Sequence, residues 1–315
     1  MIRLRSICLL TCAVLGFSAG AAGFSITTSG DGTAPMRTTF SASVQPGQTV
    51  RWNFGDGMGT TGAQVEHTYY RPGTYKVSVQ TFSGGRPLSS GGFPLDVRSA
   101  GEQRAGLTLL LGHGSVTPSE EGSVRYAPGK PSFTVNGRPA TGRTALRSGP
   151  VTVNVTAPGL GVTVTGHVRF TYQDAPSSAA FEAAVLNLTN RARAQGWNCK
   201  TQRVGGASKR ALKRDVQLDR AALAQSLGMF NVDYFDHTSG LDGSTPFQRV
   251  RATGAQPSAV AENIARGQAS AQEVVDAWLR SPGHCVNIMG NFSLIGLSAV
   301  TGENGPFWTQ VFALP

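Results

Sequence analysis

The feature that most restricts this chain is a change of period near Ala179. Ahead of it, apolar and polar residues alternate in short runs separated by Gly and Pro clusters, as in Val50-Arg51-Trp52-Asn53-Phe54 and Thr74-Tyr75-Lys76-Val77-Ser78-Val79. Alternation puts every second side chain on one face of a strand. Behind it, Phe181, Val185 and Leu188 recur at helical spacing, with alanines between them. A chain of 315 residues with 40 glycines and 15% charged residues therefore reads as several domains, with a turn-rich β front and an α/β rear.

The extreme N-terminus is processing signal rather than fold. Met1 to Arg5 is basic, Ile7 to Phe17 is apolar, and Ser18 to Gly23 is a run of small residues. That is the layout of a secretory signal over 1–23, cleaved between Ala19 and Gly23. Its apolar centre is too short to span a bilayer, and no other run is long enough. Cys12 follows Leu10-Thr11, and Thr11 suits a lipoprotein cleavage site badly. The expectation is a secreted or envelope protein, periplasmic or extracellular, and not transmembrane once the signal is removed. Cys8 and Cys12 leave with the signal, and Cys199 and Cys285 remain. A pair in an exported chain favours a disulfide, with two free thiols as the alternative. Such a bridge contributes about 4–5 kcal/mol in the chain-entropy account. The formal net charge is +10; Arg3 and Arg5 lie in the signal and no acid precedes Asp31, which leaves +8 for the mature chain. A basic surface attracts anionic polymers without choosing among them.

Residues 24–98 carry strand patterns punctuated by turns. Gly55-Asp56-Gly57 supplies positive φ and a carboxylate that accepts backbone N–H groups, and Arg71-Pro72-Gly73 is a second turn. Tyr75, Val77 and Val79 point to one sandwich core. Through Trp52-Asn53-Phe54-Gly55-Asp56-Gly57, His67-Thr68-Tyr69 and Pro72 to Val79, this segment resembles a PKD domain, an immunoglobulin-like β-sandwich. The resemblance implies a spacer or adhesion unit. Asp56 and His67 read as a turn cap and a strand histidine rather than a metal pair. Residues 101–172 contain further strand candidates, among them Leu107 to Leu111, Val151 to Val155 and Val168 to Tyr172. They suggest a second small β domain of immunoglobulin-like kind, with His113 and His167 as solvated or strand residues. Residues 173–179, with Pro176, read as a linker.

From 180 to 315 the pattern predicts helices from Ala179 to about Gln195, from Leu218-Asp219 to Phe230 with Asp219 as cap, from Thr245 through Arg251, and from Ser270 to Leu279. Short turns follow at Asp242-Gly243 and around His284. Strands are expected at Leu294 to Val300 and Phe307 to Phe312, with Asn304-Gly305 turning between them, and Val260 to Ile264 reads as a short strand or tight segment. Helices flanking strands give a layered α/β domain around an antiparallel sheet. Cys199 to Arg214 is a loop rich in Lys200, Arg203, Lys209, Arg210, Lys213 and Arg214. It is the candidate contact for anionic envelope polymers. No interleaved aromatics or helix-turn-helix pattern point to specific nucleic-acid binding.

An ordered set of motifs marks this half: Asn187 to Arg191, Tyr234-Phe235-Asp236-His237, Ala261-Glu262-Asn263-Ile264-Ala265, Trp278 to His284, Ile295-Gly296 and Trp308-Thr309-Gln310-Val311-Phe312. In that order it resembles the CAP superfamily, the cysteine-rich secretory protein family, in its bacterial branch. The resemblance implies an αβα sandwich with an open cleft, and a fold class of two N-terminal all-β domains followed by this α/β domain. It also implies that His237 and Glu262 line the cleft, that His284 and Ser281 of the Ser-Pro-Gly-His run join them beside Trp278, and that Cys199 and Cys285 stand where some bacterial members bridge. Two positions depart from the eukaryotic pattern. Leu279, Arg280 and Ser281 follow Trp278 where an acid is expected, and Phe307 stands where a last His is expected.

Two imidazoles and a carboxylate are a legitimate ligand set for a divalent metal such as zinc, so His237, His284 and Glu262 are its candidates. Without metal they can act as a hydrogen-bonded His–carboxylate pair. No Ser sits in a nucleophile-elbow motif. Three functions follow as expectations. The first is a non-enzymatic module holding a small apolar or amphipathic ligand, or a divalent metal, displayed on β spacers at the envelope. The second is a metal-assisted hydrolase, a peptidase or nuclease. The third is a structural or adhesive envelope protein.

Overall fold

The computed structural model describes residues 24–28 and 32–315, so the expected signal segment lies outside the described residues. The chain divides into two compact units. One holds the residues through Arg104 with 124–129 and 158–163, and the other holds 105–123, 130–157 and 164–315.

The first unit is built from two antiparallel sheets. Phe24–Thr28, Met36–Ala42 and Gln64–Tyr69 form one; Gly59–Thr61, Gln48–Asn53, Gly73–Ser83 and Arg86–Val97 form the other. Of Tyr75, Val77 and Val79, expected to face one core, Val77 and Val79 are buried together with Met36, Phe40, Val50, Trp52, Phe54 and Tyr69, and Tyr75 packs against them partly buried. The turn after Phe54 is set by local chemistry. Asn53 Oδ1 accepts from Gly55 N at 2.9 Å, and Asp56 Oδ1 accepts from Met58 N at 3.0 Å. Gly55 has φ +82°, and a Cβ there would lie 2.7 Å from Lys76 N, so only glycine fits. Asp56 Oδ2 pairs with His67 Nε2 at 2.7 Å, and the imidazole stacks on Phe54 at 4.1 Å between centroids.

The middle strands belong to the second unit. Ser132–Val135, Arg138–Ala140, Gly149–Pro158 and Thr163–Tyr172 form a four-stranded sheet; Thr108–Gly112, Ser115–Ser119 and Thr144–Ala145 form a three-stranded one. This differs from a free-standing second sandwich. Leu109, Leu111, Val116, Val153, Val155 and Tyr172 share one core with Leu227, Met229, Ile264, Val300 and Phe307 of the C-terminal half. The reason is visible in the Leu107 to Leu111 run, which lacks alternation: Leu107 and Thr108 through Leu111 are all buried. A strand with two apolar faces needs a partner on each. Leu109 N also donates to Asp242 Oδ2 at 2.6 Å, and Arg251 Nε pairs with Glu121 at 3.3 Å.

The rest of this unit holds five helices: α1 Ala179–Gln195, α2 Val216–Val232, α3 Pro246–Ala252, α4 Ala271–Arg280 and α5 Pro282–Ile288. Their sheet runs in the order Lys213–Arg214, Leu294–Val300, Phe307–Leu314, Ala259–Arg266. It is mixed rather than purely antiparallel, because the Lys213–Arg214 edge of the basic loop pairs parallel with Leu294 and Ile295. One face packs Ile295, Leu297, Ala299, Trp308 and Phe312 against α1 and α4. The other packs Val311 and Ala313 against Leu218, Ala221 and Ala222 of α2. The result is helix, sheet, helix. Gly296 lets α2 lie directly on the strand, since a Cβ there would sit 2.1 Å from the carbonyl carbon of Leu218. The cap of α2 is Asp215, which accepts from Gln217 N and Leu218 N; Asp219 instead accepts from Leu297 N at 2.8 Å and pairs with Arg214. His284 lies in α5 rather than a turn. Cys199 and Cys285 form a disulfide. Among the described residues, no helix is long and apolar enough to cross a membrane.

Candidate functional site

The site grows from the segment after α2. Gln225, fully buried on α2, holds both ends of the Tyr-Phe-Asp-His run: it accepts from Tyr234 OH at 3.0 Å and donates to Asp236 O at 2.7 Å. Burial pushes the Tyr234 phenol up to about 12. Asp236 Oδ1 accepts from Thr238 N at 2.7 Å, which closes the turn carrying His237. The chain then enters α3 through a capping box in which Thr245 and Gln248 bond each other's backbone. One turn into α3, Arg249 points inward and is only 2% exposed.

Arg249 meets Glu262 from the edge strand Ala259–Arg266. Glu262 Oε2 accepts from Arg249 Nη2 at 2.8 Å, and Oε1 accepts from His237 Nδ1 at 2.9 Å. The same guanidinium donates to His237 O at 3.0 Å and to Ser244 O at 2.7 Å. Arg249 therefore fixes both the carboxylate and the backbone of the histidine it serves. The Glu262 side chain is 1% exposed and that of His237 is 49% exposed. The hydrogen bond to Glu262 raises the His237 pKa above its ordinary value, against the opposing effect of burial. A carboxylate only accepts, so His237 holds its Nδ1 hydrogen toward Glu262 and leaves Nε2 for an outside partner.

Nearby is a cleft of about 500 Å³. Phe235, Ile264, Ala265, Ala277 and Trp278 give it apolar walls; Arg266, Gln268, Ser281 and His284 add polar groups. Trp278 is anchored by its Nε1 donating to Ile264 O at 3.1 Å. Gln268 Oε1 is buried without a hydrogen-bond partner. Burial, and then the charge of His237, hold the His284 pKa below its ordinary value. Beneath α5, Asn263 Nδ2 donates to His284 O at 3.2 Å and to Gln310 Oε1 at 3.1 Å, while Asn287 Nδ2 donates to Asn263 Oδ1 at 2.9 Å. The disulfide at Cys285 ties the same helix to the 196–206 loop.

Residues 186–312 match the profile of the cysteine-rich secretory protein family, CAP, and residues 21–85 match that of the PKD domain. The chain carries a CAP domain after a PKD domain. It is 40% identical over 144 residues to protein YkwD of Bacillus subtilis (strain 168), a match covering 45% of this chain and 51% of the relative. The chain thus spans about half the length of that curated relative. Among solved structures it is similar to an outer surface protein from Borrelia burgdorferi, at 20% identity and TM-score 0.36 over 44% of this chain and 98% of that one. It is also similar to an extracellular SCP-domain protein from Bacillus anthracis str. Ames, at 16% identity and TM-score 0.35 over 76% of this chain and 82% of that one.

In the CAP domain, then, His237 and Glu262 touch, and Trp278, Ser281 and His284 line the cleft; His237 and Glu262, expected in the cleft as well, are not among its lining residues. The three expected zinc ligands are not arranged as a metal set. Both oxygens of Glu262 are taken, one by a buried guanidinium, and among the described residues no group of three His, Cys, Asp or Glu is placed to hold a metal. Arg249, Gln225, Gln268 and Asn287 could not be picked out from the sequence, because a buried Arg or Gln has the same letter as a solvated one. The basic loop is also less open than its composition suggests. Arg214 pairs with Glu182 at 2.5 Å and Asp219 at 2.8 Å, and Lys209 Nζ donates to Asn291 Oδ1 at 2.9 Å. Lys200, Arg203, Arg210 and Lys213 are exposed.

Proposed function

We propose that the CAP domain is a non-enzymatic binding module whose cleft takes one small amphipathic ligand. Its apolar body would lie against Phe235, Ile264 and Trp278, and its polar end would meet Ser281 and His284. The single observation that supports this most is a cleft of about 500 Å³ walled by Phe235, Ile264, Ala265, Ala277 and Trp278, with Ser281 and His284 as polar groups on the same lining. The locked Arg249–Glu262–His237 triplet favours binding over turnover, because the carboxylate is committed to holding rather than to moving a proton.

On this reading the protein is exported, and the PKD domain is a spacer at the cell envelope, where Lys200, Arg203, Arg210 and Lys213 meet anionic polymers. The basic, apolar and small-residue layout of 1–23 supports export.

Calorimetric titration of the folded protein with a single-chain fatty acid, a sterol and Zn²⁺ tests the proposal. Saturable one-to-one binding of an apolar probe is expected. No binding of either apolar probe ends it. Binding of Zn²⁺ alone moves the reading to an ion held by the two imidazoles. Peptide or nucleic-acid cleavage that vanishes in His237→Ala and Glu262→Ala replaces it with the hydrolase.

A further inference from the structure

Away from the cleft, three polar side chains stand in an order that neither domain assignment uses. We propose that Ser177, His113 and Asp174 form a second, shallow site that transfers the acyl group of accessible esters to Ser177 and then to water. His113 occupies the turn between the strands Thr108–Gly112 and Ser115–Ser119. Its Nδ1 is 2.9 Å from Asp174 Oδ1, and its Nε2 is 2.9 Å from Ser177 Oγ. A carboxylate only accepts, so Nδ1 carries the hydrogen and Nε2 is left to accept the Ser177 O–H. Nucleophile, base and orienting acid therefore stand in working sequence.

The backbone under each member is pinned. Tyr172 OH donates to Gly112 O at 2.9 Å and accepts from Gly114 N at 2.8 Å, fixing the turn that carries His113. Asp174 Oδ1 also accepts from Ala175 N at 3.0 Å. On either side of Ser177, Thr301 N donates to Pro176 O at 2.8 Å and Ser178 N donates to Ala299 O at 3.0 Å. That last bond removes the N–H that follows the nucleophile as an oxyanion donor. The next donors are at the start of α1. Ser178 caps Phe181 N, and the N–H groups of Ala179 and Ala180 have no acceptor within the helix. They lie at its positive end, close in sequence to the serine.

The step balances without a co-reactant. Ser177 Oγ attacks the ester carbonyl carbon as His113 Nε2 takes the hydroxyl proton. The bond to the alcohol oxygen breaks, and His113 returns the proton to that oxygen. Water then repeats the sequence and releases the acid. The His113 and Asp174 side chains are 41% and 43% exposed. The substrate class is therefore a small ester, or an acyl group displayed on a polymer, rather than a ligand that needs enclosure. Water access also keeps the rate low.

The test is labelling of the full chain by a fluorophosphonate, read by intact mass and peptide mapping, beside p-nitrophenyl acetate hydrolysis. Expected is one phosphonyl adduct, mapped to Ser177. Labelling should disappear in Ser177→Ala and His113→Ala and fall at least tenfold in Asp174→Asn, which removes the carboxylate that sets the tautomer. Circular dichroism shows that each variant is folded. Folded wild type that stays unlabelled overturns the proposal, as does labelling that maps elsewhere or survives in Ser177→Ala. Ligand binding in the cleft is read separately, so failure here leaves that reading standing.

Discussion

The PKD and CAP domains each contain a histidine paired with a carboxylate beside aromatic rings, and the two pairs are built the opposite way round. In the PKD domain, the His67 side chain is 14% exposed, closed in by Phe54 and Tyr69, and paired with the more exposed Asp56. In the CAP domain the carboxylate is buried at 1% and the His237 side chain is 49% exposed. Burying the imidazole makes it a packing element, whose partner doubles as a turn cap. Burying the carboxylate instead requires a counter-charge, which Arg249 supplies from α3, and turns the imidazole outward with one nitrogen free. Which member is buried thus separates a structural pair from a presenting one.

The largest expected effect tests that asymmetry. Arg249→Ala leaves Glu262 buried with its charge uncompensated and should cost about 3–5 kcal/mol. Asp56→Ala, at the exposed member of the other pair, should cost about 1 kcal/mol. Urea unfolding of the full chain, with each domain followed by its own tryptophan signal, compares them; equal losses would erase the distinction. Next, replacing Cys199 and Cys285 by alanine should remove about 2–5 kcal/mol from the CAP transition and leave the PKD transition in place.

A smaller effect is the pH response, and its signs are opposite for His237 and His284. The His237 pKa is raised on folding, so its contribution is fully present below about 6.5 and is lost as pH rises through the higher folded value. The His284 pKa is lowered, so its contribution is present above about 6.5 and is lost as pH falls toward the lower folded value. Ring-proton NMR should place the two on either side of the ordinary value, and Glu262→Gln should bring His237 back toward it. Smallest of all, Lys200→Ala with Arg203→Ala should weaken retention on an anionic polymer at low salt. Arg214→Ala should change retention less, because that charge is already paired.

Much of this was legible in the sequence. Alternation placed Val77 and Val79 in one core, with Tyr75 at its edge, and ordered motifs placed His237 and Glu262 on segments that meet. The rest was hidden for definite reasons. The continuous core under Leu107 to Leu111 depends on a second apolar face that a short strand pattern does not reveal. Arg249 depends on three-dimensional proximity to a carboxylate that α3 alone does not predict. The alignment of His113 with Asp174 and Ser177 joins residues that read separately as a solvated or strand histidine and linker positions.

The functional reading rests on an apolar cleft lined by Trp278, Phe235 and His284, where an amphiphile is accepted. It is decided by the histidine ring spectrum of the folded protein with and without a saturating single-chain amphiphile, in wild type and in Ala277→Trp, whose indole fills the cleft. The His284 signal is expected to shift in wild type and to stay fixed in Ala277→Trp. A signal that stays fixed in wild type, or that shifts equally in both, would contradict it.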